Sequence, residues 1–170
     1  MNKIAIAVTL ASALALSACK KDAPEDLPPP PLTTTTPTPG GPVTPQGSIP
    51  GTQSHFAQTM QGADTIYFDT DRFDIDAQDQ AALRSQAQYL NQYPNVRATV
   101  EGHCDERGTR EYNIALGERR ANAAKNYLVS LGVADNRISV VSYGKERPVA
   151  LGSNEQAWGR NRRAVTIVLN

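Results

Sequence analysis

Proline and aromatic residues are segregated along this chain, and that segregation confines a packed core to its C-terminal part. Ten of the twelve prolines lie between Pro24 and Pro50, whereas all ten aromatic side chains lie at or beyond Phe56. Residues 20–55 carry Pro28-Pro29-Pro30-Pro31, Thr33 to Thr36 and Gly40-Gly41 but no aromatic, and bury too little apolar surface to offset the entropy of ordering. They read as a tether, which at ~3.1 Å per residue in polyproline II reaches on the order of 100 Å. A proline-rich recognition ligand is the alternative reading of that stretch. Charge is balanced, 17 Lys+Arg against 17 Asp+Glu, so the chain lacks the basic excess of a nucleic-acid binder and no nucleic-acid partner is expected.

The N-terminus has the form of an export signal: Lys3, an apolar run from Ile4 to Leu16, then small residues. That run is too short to span a bilayer. Leu16-Ser17-Ala18-Cys19 resembles a bacterial lipobox, in which the cysteine sulfur receives lipid and cleavage leaves that cysteine as the first mature residue. Several acyl chains, at about 0.8 kcal/mol per buried CH₂, anchor a protein effectively permanently. The next residue is Lys20, not the aspartate that resembles an inner-membrane retention signal, so the expected location is the periplasmic face of the outer membrane. An ordinary export signal with an incidental cysteine is the plain alternative. The expected division is a signal peptide over 1–18, a lipidated Cys19 with tether over 19–55, and one domain over 56–170.

Within the domain the pattern alternates between short strands and helices. Thr65 to Phe68 reads as a strand, and Asp76 caps a helix running to about Gln92, with Pro94 marking the exit. Val96 to His103 alternates as a strand. Tyr112 to Leu131 has the periodicity of a helix with Ile114, Gly117, Ala121, Ala124, Leu128 and Leu131 inward, and Gly132 ends it. Arg137 to Tyr143 and Ala164 to Leu169 are β-branched runs, separated by a loop with a helical piece near Glu155 to Gly159. The order β-α-β-α-β-β predicts an α/β (α+β) sandwich with two main helices on one mixed sheet, its last strand able to join antiparallel.

The stretch Val100 to Asn113 runs from a strand end into the loop before the second helix, where ligands of α/β sheets collect. Arg120, early in that helix, is able to point back over the loop toward Asp105. A carboxylate opposite a guanidinium suits a zwitterionic ligand, since Arg takes a carboxylate in a bidentate fork and Asp takes an ammonium. From spacing alone, a structural salt bridge between Asp105 and Arg120 is an equal reading.

Gly102-His103 through Asp105-Glu106-Arg107-Gly108-Thr109, Glu111-Tyr112-Asn113-Ile114, Leu116 to Ala123, Tyr67 to Asp71, Ser142 to Pro148 and Asn161-Arg162-Arg163 resemble the OmpA C-terminal-like domain family, and most closely its lipoprotein branch. The resemblance covers about residues 60–170. It implies that Asp105 and Arg120 clamp the diaminopimelate residue of the peptidoglycan stem peptide. It also implies that Asp71 lines the same pocket, that Asn113 and Leu116 contact the peptide or fix the loop, and that Arg162 contributes to the pocket edge. A purely structural role is the alternative for Asn113 and Arg162. The same resemblance implies a role in a Tol system of envelope integrity and cell division, with a periplasmic β-propeller protein of that system as partner, competing with the wall for the face that holds Asp71 and Asp105. Replacing Arg120 by Ala is expected to weaken binding with little effect on folding.

Three features remain. Cys104 stands where relatives carry Ala or Thr; strand alternation turns it away from the face of His103, inward as a small hydrophobe, with redox reactivity or intermolecular pairing as alternatives. A hydrolase or metal site built on His103, Cys104 and Asp105 is poorly supported, because neighbours on a strand point in opposite directions and no Cys-x-x-Cys or His-Glu-x-x-His spacing occurs. No enzyme activity, cofactor or metal is therefore expected. Six acids between Asp64 and Asp79 against Arg72 alone form either a solvated face or a surface for the protein partner.

Overall fold

The computed structural model describes residues 48–169. The expected leader, the lipidation site Cys19 and most of the expected tether lie outside the described residues. In chain order the elements are α1 (Gln53–Met60), β1 (Thr65–Tyr67), α2 (Ala77–Gln92), β2 (Arg97–His103), α3 (Arg110–Ser130), β3 (Ile138–Gly144), α4 (Glu155–Asn161) and β4 (Arg163–Leu169), with a 3₁₀ turn over Asp135–Arg137. Each helix starts where a short polar side chain relieves its free amides: Thr52, Asp76, Thr109 and Asn154 accept from the backbone N–H of His55, Asp79, Tyr112 and Ala157. At the far end of α3, Gly132 at φ 92° lets its own N–H reach the Val129 carbonyl and the Val133 N–H reach that of Leu128.

The sheet has the order β1-β4-β2-β3. β2 and β3 are parallel, bridged by α3, while β4 lies antiparallel to β1 and β2 and so joins the two halves of the chain. The expected mixed α/β sheet is present, but helices are added to it. α1 starts at Gln53, upstream of the boundary suggested by Phe56; Phe56 is fully buried, and the Gln53 side chain accepts from Val168 N–H at 2.7 Å. Nothing apolar marks residues 53–55, which join the fold through polar contacts, including His55 Nδ1 with Tyr89 OH at 2.8 Å.

The inward face of α3 also differs from expectation. Ile114 and Leu131 are only partly buried, while Asn113, Leu116 and Arg120 turn inward. A periodicity argument assigns apolar side chains to the inside, but the first turns of α3 face a polar pocket rather than the apolar core. That core gathers Phe56, Ile66, Leu83, Leu90, Val100, Leu128 and Val168 between sheet and helices. Gln86 is buried within it because its amide is satisfied on both sides, donating to the Ala63 carbonyl at 2.6 Å and accepting from Thr166 Oγ1 at 2.7 Å. β2 and α3 cross at Gly102 and Gly117, where a Cβ on Gly102 would fall within 2.5 Å of the Gly117 carbonyl carbon and closer still to its oxygen. This backbone contact sets the distance between the end of β2 and the start of α3, between which the pocket opens.

Candidate functional site

The loop Cys104–Thr109 leaves β2 and turns into α3, facing the β1–α2 loop and Arg162, which ends α4 just before β4. Asp71, Asp105, Asn113, Leu116, Arg120 and Arg162, all six residues expected at the site, line one pocket of about 260 Å³ between these segments. Sequence reasoning missed Arg107, Tyr112 and Cys104 in the same wall.

Asp105 and Arg120 share the pocket without pairing. Arg120 is fully buried, and its guanidinium donates to the carbonyls of Arg72 (2.9 Å), His103 (2.9 Å) and Asp69 (3.0 Å) and to Cys104 Sγ (3.4 Å). Burial pulls its pKa below the ordinary arginine value, since backbone dipoles rather than a counter-ion surround it. The structural salt bridge between the two residues is therefore absent. Arg120 instead ties the β1–α2 loop to the end of β2.

Asp105 is 6% exposed and both carboxylate oxygens are occupied. Oδ1 accepts from the backbone N–H and Nε of Arg107 at 3.1 and 3.2 Å; Oδ2 accepts from Arg107 Nη2 at 2.6 Å and Arg162 Nη1 at 3.3 Å. Burial pushes this carboxyl up, but the hydrogen bonds from Arg107 and Arg162 outweigh it and hold its pKa below the usual carboxylate value. Arg162 is itself fixed by the Phe68 carbonyl at 2.9 Å and Glu155 at 2.6 Å. Asn113 is buried, with its amide donating to the carbonyls of Arg107 (2.7 Å) and Thr109 (2.9 Å), so it braces the loop. Asp71 is exposed at the rim at φ 56°, a left-handed conformation uncommon for a residue with a side chain, and accepts from Tyr112 OH at 3.1 Å.

Strand alternation is borne out at the end of β2. Cys104 is buried in the pocket wall as a free thiol that donates to the Asn113 carbonyl at 3.3 Å, and burial pushes its pKa up, which keeps it in the unreactive thiol form. His103 lies on the opposite face against Tyr143, so the two do not form a dyad. Among the described residues, no group of three His, Cys, Asp or Glu is arranged to hold a metal ion.

Both ring nitrogens of His103 lack hydrogen-bond partners among the described residues, and Glu101 Oε2 stands 3.6 Å from Nε2. Burial, reinforced by Arg163 and Arg147, lowers its pKa from 6.5 to about 4. The unfolded chain thus takes a proton near pH 6.5 that the folded chain refuses until near pH 4. Stability is full above pH 6.5 and falls on acidification between these values, by on the order of 3 kcal/mol. His103→Phe should flatten that decline in urea unfolding measured at pH 7, 5.5 and 4; an unchanged slope would assign it to other groups.

Residues 67–162, the span that holds all six expected site residues, match the OmpA family. The chain belongs to the OmpA family. A protein of Rhizobium meliloti (strain 1021) named peptidoglycan-associated lipoprotein is 47% identical over 98% of this chain and 88% of its own length. The protein of the same name from Agrobacterium fabrum is 48% identical with the same coverage. The crystal structure of the peptidoglycan-associated lipoprotein from Burkholderia pseudomallei matches this OmpA-family domain with a TM-score of 0.60 and 47% identity, over 62% of this chain and 89% of that one. The C-terminal domain of Helicobacter pylori MotB shares the fold at 21% identity and a TM-score of 0.58, over 62% of this chain and 84% of that one.

Proposed function

We propose that this OmpA-family protein is a lipoprotein of the outer membrane that binds peptidoglycan non-covalently from the periplasmic face. In this reading residues 1–18 are removed, Cys19 carries the lipid, the proline-rich stretch before α1 is the tether, and the domain holds the diaminopimelate residue of the stem peptide. The observation that carries it is the convergence of Asp71, Asp105, Asn113, Leu116, Arg120 and Arg162 on one pocket containing both carboxylates and guanidinium groups. An ammonium-and-carboxylate ligand end meets charges of both signs there within one side chain's reach. The relatives from Rhizobium and Agrobacterium, by name peptidoglycan-associated lipoproteins, align over nearly the whole chain and support the same role. The function requires binding, not catalysis. A membrane-confined domain facing a dense lattice of identical ligands attaches firmly even when each site is weak.

The test is cosedimentation of the full chain in detergent with diaminopimelate-type and lysine-type peptidoglycan. Pelleting with the first wall is expected, and Asp105→Asn should reduce it by at least about tenfold, because a neutral amide forms no ion pair with an ammonium. Equal pelleting with both walls would overturn the diaminopimelate assignment. A second reading, in which the main ligand is the Tol-system β-propeller protein, is favoured by the exposed aromatics Tyr67, Phe73 and Tyr112 set among the acids Asp69, Asp71 and Asp74. Competition between wall fragments and that protein is expected; simultaneous binding would separate the two surfaces.

A further inference from the structure

Arg107 has the one guanidinium of the pocket that is both paired with Asp105 and partly exposed to solvent. Its side chain is 38% exposed, whereas Arg120 and Arg162 are buried and held by backbone carbonyls. It closes on Asp105 through Nε and Nη2, reaches Thr70 Oγ1 at 3.2 Å, and lies with its guanidinium carbon 4.2 Å from the centroid of the Trp158 ring. The loop beneath it is rigid: Lys145 Nζ donates to the carbonyls of Glu106 and Gly108 at 3.2 and 2.7 Å, and Trp158 Nε1 donates to Glu106 at 3.0 Å. The pocket is thus closed by its own ion pair, and an incoming ammonium meets a carboxylate already saturated with donors.

We infer that Arg107 is the specificity-determining residue of this pocket: paired with Asp105 in this structure, it transfers to the carboxylate of a zwitterionic ligand as the ligand ammonium takes its place on Asp105. This rests on the diaminopimelate reading above. The exchange conserves charge pairing only when the ligand brings both groups. A lysine side chain brings an ammonium alone, so it replaces Arg107 on Asp105 with no net gain of an ion pair, whereas a zwitterionic ligand end adds one, and the difference favours the latter. A lone carboxylate likewise leaves Asp105 in place and gains nothing from the exchange. The Trp158 face gives Arg107 a second resting position, since a guanidinium stacks on indole without needing a fixed hydrogen-bond partner.

The chain contains a single tryptophan, so Trp158 emission reports on Arg107 directly. The full chain is titrated in detergent with a stem tripeptide ending in meso-diaminopimelate and with its L-lysine counterpart, in the native protein, Arg107→Lys and Arg107→Ala, with thermal melts in parallel. The native protein is expected to prefer the diaminopimelate peptide and to change its Trp158 emission on binding. Arg107→Ala should lower that preference by about tenfold or more and lose the emission change while melting well above the assay temperature; Arg107→Lys, charged but unable to fork, should fall between. An Arg107→Ala protein that keeps the native preference overturns this inference and leaves the diaminopimelate reading intact. A native protein that binds both peptides alike, or neither, overturns both.

Discussion

Arg120→Ala is expected to destabilise the fold by about 3–5 kcal/mol, because it strips donors from three carbonyls at about 1–3 kcal/mol each and leaves a cavity where the pocket meets the core. The Arg72, Asp69 and His103 carbonyls come from two separate segments, and only a planar group with several N–H donors reaches all of them. Sequence reasoning expects Arg120→Ala to spare the fold because it treats the side chain as facing a ligand; the structure turns that expectation around, since most of its donors face protein. Arg120→Lys should rescue little, as one ammonium does not span the three acceptors. Urea unfolding of the three proteins measures this directly. Native-like stability in Arg120→Ala would mean that the β1–α2 loop holds its place without the guanidinium.

Gly102→Ala is expected to be as severe, at about 4 kcal/mol or more, for a different reason. The added methyl meets helix backbone, not a side chain able to rotate away, so β2 and α3 must separate. Separation breaks the parallel register of β2 on β3, which already shifts between Gly102 and His103, and moves both walls of the pocket at once. Loss of the folded circular dichroism signal at 25 °C, or a melting temperature lowered by tens of degrees, is the expected result; a melt within a few degrees of the native one would show that the crossing yields to a methyl group.

Both effects lie where the sequence was legible in one respect and opaque in another. The four strands and α2, α3 and α4 were legible in the sequence, α2, α3 and β2 through periods of 3.6 or two and β3 and β4 as β-branched runs, because a sheet covered on one face and helices lying on it impose such patterns on apolar residues. α1 escaped because Phe56 and Met60 are its only buried side chains and Gln53 and His55 join the fold through polar bonds. All six residues expected from the resemblance line one pocket, yet their partners differ from those that spacing suggests. Asp105 and Arg120 were paired on paper by charge and reach. In the fold Arg107, two residues along from Asp105, takes the carboxylate first, and its stacking surface, Trp158, arrives from α4 at the far end of the sequence.

The sequence by itself determined the contrast between an apolar N-terminal run, a proline-rich stretch and a part able to form one α/β domain, the alternation that sends Cys104 and His103 to opposite faces, and the residue types gathered at the end of β2. These depend on composition and local period, which any chain carries along its length. Only the tertiary structure decided which cation answers which anion, that Arg120 braces the pocket from within while Arg107 pairs with Asp105 at its mouth, and that both ring nitrogens of His103 are buried without hydrogen-bond partners among the described residues. Those outcomes depend on β4 entering between β1 and β2 and on the glycine crossing of β2 with α3, which bring distant segments within a few ångströms and let competition among nearby donors, not sequence spacing, choose the pairs.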